Sequence, residues 1–218
     1  PKQIQKELEA GKIRPVYWLY GTEAMKSREL LKRIRSAVLG PAAEASGMAA
    51  FAESALDGQE NEVGEVLDAA GSLAFGGGGK FVLVKQAHAL KQPDDLLSLC
   101  VAEFVRPAEG ASVTVFVSKD LDQRKKFSKG LVEKAACVPC EEIGEEDREA
   151  WTQYLAKRKK IQLTENEVGL LRGMDPWSLD GVDRELEKME TARPEDREAV
   201  LLGAVGAEGK GASESFVE

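Results

Sequence analysis

A chain of 218 residues with 43% apolar and 31% charged side chains is long enough for one large domain or two modest ones, and too apolar for disorder. Its net charge of −8 argues against tight autonomous binding of duplex DNA, where phosphate neutralisation supplies most of the affinity. No apolar run approaches the ~20 residues of a membrane span. The stretch Pro1-Lys2-Gln3-Ile4-Gln5-Lys6-Glu7 lacks a signal-peptide core, and three cysteines fit a reducing cytoplasm.

From residue 1 to about 143, strand and helix signals alternate. Val16-Tyr17-Trp18-Leu19-Tyr20, ending at Gly21, reads as a buried strand. Leu30, Leu31, Ile34 and Val38 share a helix face that Gly40-Pro41 stops. Met48 to Ala52 is a weaker strand candidate. Val63, Val66, Leu67 and Ala70 follow helix periodicity and lead into Ser72-Leu73-Ala74-Phe75, then Gly76, Gly77, Gly78 and Gly79. Glycine reaches positive φ freely, so four in a row mark a sharp bend or hinge. Leu73 and Phe75 at its lip either close the core beneath the preceding helix or are there to enter a partner.

Phe81 to Val84 is the next strand, and Leu97, Cys100, Val101 and Phe104 define a helix face after Pro93. Val113-Thr114-Val115-Phe116-Val117 carries the strongest strand signal. Phe127, Leu131, Val132 and Ala135 mark another helix, and Cys137-Val138-Pro139 a short last strand. Such alternation predicts an α/β domain with a mostly parallel sheet flanked by helices.

After Cys140 no strand signal follows. Trp151, Tyr154 and Leu155 lie on one helix face, and Thr164 to Glu167 is a capping box opening a second helix with Val168 and Leu171. Trp177, Leu179, Val182, Leu186 and Met189 predict a third helix, and Val200 and Leu201 a fourth. The expected organisation is an α/β domain over 1–143, a small helical domain over 144–205, and a linker over 206–218 that opens a further domain. Phe216 in that last stretch has no element left to pack against, as at the end of a fragment.

The turn after the first strand is where a nucleotide-binding α/β domain holds phosphates. A phosphate loop requires G-x-x-x-x-G-K-[ST]. Here Gly21-Thr22-Glu23-Ala24-Met25-Lys26-Ser27 keeps the first Gly and the Lys26-Ser27 pair, lacks the second Gly, and places Glu23 where it would repel phosphate. A capped helix start is the better reading. Ser118-Lys119-Asp120 after the 113–117 strand supplies no magnesium-binding acidic pair. Cys137-x-x-Cys140 has zinc-like spacing, but a structural zinc needs four ligands and only Cys100 and the lone His88 remain. No metal or cofactor is expected. The basic stretches Arg124-Lys125-Lys126 with Lys129, and Lys157-Arg158-Lys159-Lys160, read first as solvated helix faces and second as contacts for DNA or other subunits.

In order along the chain, Val16-Tyr17-Trp18-Leu19-Tyr20-Gly21-Thr22-Glu23, Ser72-Leu73-Ala74-Phe75-Gly76, Asp122-Gln123-Arg124-Lys125-Lys126, Trp151, Leu186-Glu187-Lys188-Met189 and Ser213-Glu214-Ser215-Phe216-Val217-Glu218 together resemble the δ subunit of the bacterial DNA polymerase III clamp loader. The resemblance implies an AAA+ fold without a working nucleotide site. It implies a non-catalytic subunit of a DNA-directed DNA polymerase (nucleotidyltransferase) holoenzyme. Leu73 and Phe75, with Ala74 between them, would enter an apolar pocket of the β sliding clamp and let the ring open. The other implied partners are the γ/τ and δ′ subunits, through a C-terminal domain, and primed DNA within the assembly. Departures are the Ala74-Phe75-Gly76 order and the four glycines, where relatives carry a more polar, basic turn. An NTPase with a divergent loop and an accessory DNA-binding module remain the alternatives.

Overall fold

Five short strands organise the first part of the chain. The computed structural model describes residues 2–72, 78–122, 124, 126–193 and 196–207. It places β1 at Val16–Tyr20, β2 at Glu53–Asp57, β3 at Lys80–Lys85, β4 at Ser112–Ser118 and β5 at Ala136–Pro139. Every pairing is parallel, in the order β2-β3-β4-β1-β5. Parallel neighbours require crossovers. Three of these are helical: α2 (Ala24–Ser46), α3 (Val63–Gly71) and α4 (Lys126–Lys134), while α1 (Lys2–Glu9) precedes the sheet.

Strand side chains alternate between two cores. Tyr17, Leu19, Phe81, Val113 and Val138 meet Leu30, Ile34 and Val38 of α2 and Ile4 of α1 on one face. Val16, Trp18, Val82, Val84 and Phe116 meet Val66 and Ala70 of α3 and Phe127 and Leu131 of α4 on the other. Burial on both faces is why these strands read as continuous apolar runs. Trp18 anchors the second core, stacked on Phe116 at 4.7 Å and edge-on to Phe127 at 5.6 Å. Its Nε1 donates to Ser118 Oγ at 2.8 Å, so the indole is buried without an orphaned donor.

Two expectations are corrected. Met48–Ala52 is a 3₁₀ helix, and β2 starts directly after it. Gly47 at φ 72° starts that turn, and a five-residue apolar run carries no period to tell strand from helix. The helix expected over 97–104 is a 3₁₀ helix at Pro93–Leu99, which ends where Cys100 leaves helical geometry (φ −81°, ψ 59°) and leaves Val101 in solvent. The helix predicted through Val200 and Leu201 runs over Arg197–Ala207. Gly40 does leave helical geometry (φ 73°, ψ 161°), yet the helix resumes beyond Pro41 and ends at Ser46. Ile4 and Leu8 pack the N-terminal helix α1 onto the first core, and Arg14 holds Glu7 with two 2.9 Å hydrogen bonds.

The chain divides into two compact units, Pro1–Glu141 and Glu142–Glu218. The second is helical where described: α5 (Glu145–Arg158), α6 (Glu165–Arg172), α7 (Leu179–Thr191) and α8 (Arg197–Ala207). Leu155, Leu171, Leu179, Val182, Leu186 and Met189 are its buried apolar centre. The capping box stands as read: Thr164 Oγ1 accepts from the Glu167 N–H at 3.2 Å, and Glu167 Oε2 from the Thr164 N–H at 2.7 Å. Glu145, Glu146 and Asp147 open α5 and Lys157 and Arg158 close it, each sign matching the helix dipole. Among the described residues no helix is long and apolar enough to cross a membrane.

Candidate functional site

The loop between β1 and α2 is closed on its own chain. The Gly21 N–H donates to Ser118 O at 3.2 Å, the Glu23 N–H to Cys140 O at 2.9 Å, and the Cys140 N–H to Tyr20 O at 2.6 Å. Glu23 is buried, and its Oε1 accepts from the Met25 N–H at 3.3 Å. A helix N-terminus is a natural anion site because its first N–H groups lack partners within the helix. Here the anion is the chain's own carboxylate. Lys26 Nζ donates to the carbonyl of Glu141 at 2.7 Å, and Ser27 Oγ to that of Ala24 at 2.9 Å. Gly21, Lys26 and Ser27 are thus brought together as the sequence placed them, with their donors turned to protein oxygens.

Gly21 is indispensable to this closure. Its φ of 133° disfavours any L side chain, and a Cβ there would lie 2.2 Å from Cys140 O and 2.4 Å from its carbonyl carbon. The backbone of residues 140–141 therefore sits over the loop. Carbonyl groups carry no sequence signal, so the contribution of Cys140 and Glu141 was not readable from side-chain types.

The hook residues Leu73, Ala74 and Phe75, with Gly76 and Gly77, lie outside the described residues. Their anchors are described. The α3 helix ends at Ser72, whose N–H donates to Asp68 O at 3.0 Å and whose Oγ donates to Ala69 O at 2.8 Å. Gly78 has φ 105°, and Gly79 is wedged so closely that a Cβ would meet Pro107 Cβ at 2.5 Å and Val38 O at 2.7 Å. Gly79 is therefore a packing requirement. The connection from Ser72 to Gly78 enters β3 at its N-terminal end, whereas the closed loop leaves β1 at its C-terminal end. Since all strands are parallel, Gly79 and the closed loop lie at opposite ends of the sheet.

Of the basic residues, Arg124 is exposed and held by Asp122 through Nε at 2.9 Å and Nη2 at 3.2 Å. Lys126 and Lys129 are exposed, while Lys125 lies outside the described residues. In the helical unit Lys159 bridges Asp183 at 3.3 Å and Glu187 at 3.2 Å, so part of that basic run serves α7. Cys137 and Cys140 fall in different cores on opposite sheet faces, so the CxxC spacing does not converge on one ion. Burial pushes the Cys137 thiol up to about 11. Among the described residues no cluster of three metal-ligating side chains occurs. His88 is exposed and borders a cleft with Asp94, Asp120 and Lys126.

The family model of the DNA polymerase III delta subunit matches residues 17–141, which run from β1 through β5. The chain belongs to that family. The DNA polymerase III subunit delta of Bacillus subtilis (strain 168) is 27% identical over 213 residues, covering 93% of this chain and 58% of the relative. A solved Bacillus subtilis DNA clamp loader delta protein matches with a TM-score of 0.65 and 26% identity, over 87% of this chain and 57% of that one. The chain thus spans less than two thirds of the length of these family relatives. The Thermotoga maritima RuvB Holliday junction branch migration motor matches with a TM-score of 0.57 at 11% identity, over 94% of this chain and 67% of that one. That likeness concerns the fold alone, and it agrees with the AAA+-like sheet and helical unit expected from sequence.

Proposed function

We propose that this chain is the clamp-contacting part of a clamp-loader delta subunit that works by contact and without nucleotide chemistry of its own. Leu73 and Phe75, flanking Ala74, form an apolar wedge that enters the β sliding clamp, loosens one interface of the ring and lets it open for loading onto primed DNA. The γ/τ and δ′ subunits join it through the family's C-terminal domain. Arg124, Lys125 and Lys126 serve as contacts to DNA or neighbouring subunits. The chain acts in the cytoplasm, where its three free cysteines stay reduced.

The observation that carries the non-catalytic part of this reading is the self-filled loop. Glu23 occupies the helix N-terminus, the Glu23 N–H is given to Cys140, and Lys26 is given to Glu141. ATP would have to displace a buried carboxylate and break the backbone pairing over Gly21. Isothermal titration with millimolar ATP and magnesium is expected to give no saturable heat. Saturable, magnesium-dependent binding would return the chain to the NTPases with a divergent loop.

A further inference from the structure

Six large apolar side chains are exposed among the described residues: Met48, Phe51, Val101, Val132, Tyr154 and Leu202. Met48 and Phe51 belong to one short element. A 3₁₀ helix turns once in about three residues, so positions i and i+3 stack on one ridge. In Met48–Ala52 the small Ala49 and Ala52 point into the first core, and Met48 and Phe51 form the outward ridge. Phe51 is 65% exposed, a large apolar surface left to solvent.

The position of this ridge matters more than its exposure. Ala49 and Ala52 share a core with Val38, and Gly79 at the base of the hook packs on that same Val38. Glu53 of β2 pairs with Phe81 of β3, so Phe51 and Gly79 each lie two residues before a paired position. The two connections therefore enter the sheet side by side, at strands only ~4.8 Å apart. A stable protein interface covers about 800 Å² per partner. A leucine and a phenylalanine supply at most roughly half of that. The remainder must come from surface around the hook's base, and the Met48–Phe51 ridge is an exposed apolar surface on the neighbouring connection.

We propose that Met48 and Phe51 form a second apolar contact on the β sliding clamp, on the connection next to Gly79. The proposal rests on the reading that the hook enters the clamp, and adds residues which that reading does not contain. The test compares three forms of the chain on an immobilised β sliding clamp at low and high salt: the unaltered chain, Met48→Ser with Phe51→Ser, and Leu73→Ala with Phe75→Ala. The ridge variant is expected to bind about tenfold more weakly, through faster dissociation, and to the same extent at both salt concentrations. Its thermal midpoint should fall by only a few degrees, because Phe51 is 65% and Met48 39% exposed. Undiminished affinity of the ridge variant, with loss in the hook variant, overturns the second contact and leaves the hook. Undiminished affinity of both variants overturns the hook reading itself. If sedimentation shows the unaltered chain self-associating and the ridge variant monomeric with full clamp affinity, the ridge belongs to a second copy and the proposal fails.

Discussion

Replacing Leu73 and Phe75 together by alanine is expected to weaken binding of the β sliding clamp about a hundredfold or more. Fully burying each side chain contributes ~1.5–3 kcal/mol, and every 1.4 kcal/mol or so is a factor of ten in affinity. The two together therefore supply roughly two to four powers of ten, most of which alanine forfeits. Folding is expected to be unaffected, because the segment's two ends are secured independently. Ser72 closes α3 onto Asp68 and Ala69, and Gly79 seats the start of β3 on Val38 and Pro107. Surface plasmon resonance reads the affinity and thermal unfolding reads the fold. Retained affinity with a lowered midpoint would make Leu73 and Phe75 ordinary core residues beneath α3.

The second large effect is on folding. Gly21→Ala combines a strained positive φ with a Cβ 2.2 Å from a backbone oxygen that cannot swing away. Strain of this kind costs about 1–3 kcal/mol and overpacking costs about as much again. A loss near ~3 kcal/mol lowers the melting midpoint by about 10 °C for a chain of this size. Gly64→Ala is the internal control. It lies early in α3 with nothing within 4 Å of its Cβ position, so alanine there should be neutral or mildly stabilising. Equal midpoints for the two variants would mean that the loop over Gly21 is open in solution. The phosphate site would then be available after all.

The parallel sheet was legible because its central strands are buried on both faces. Val16–Tyr20 and Val113–Val117 are apolar almost without interruption, and little else in a chain of this composition reads that way. The helical unit was legible from one capping box and the spacing of Leu179, Val182, Leu186 and Met189. The 3₁₀ segments at Met48–Ala52 and Pro93–Leu99 were not, since runs this short fit either period and the deciding contacts come from α2 for the first and from α3 and α4 for the second. Gly79 looked like one of four interchangeable hinge residues. Its reason for being glycine is a carbonyl on Val38 and a ring on Pro107, which no local pattern reveals. At the phosphate loop the sequence showed what was missing, a glycine, and what was wrong, Glu23. What fills the gap is backbone from residues 140 and 141, and backbone is the same in every sequence.

Contact alone can open a ring only if the wedge binds the open form more tightly than the closed one, because a ligand shifts an equilibrium by its differential affinity. The most direct measurement is the affinity of this chain for the intact β sliding clamp ring against its affinity for a clamp made monomeric by substitutions in the ring interface. If the wedge opens the ring, binding to the monomeric clamp is at least about tenfold tighter, with no nucleotide present. Equal affinity for the two forms would contradict it: the chain would then hold the clamp without opening it.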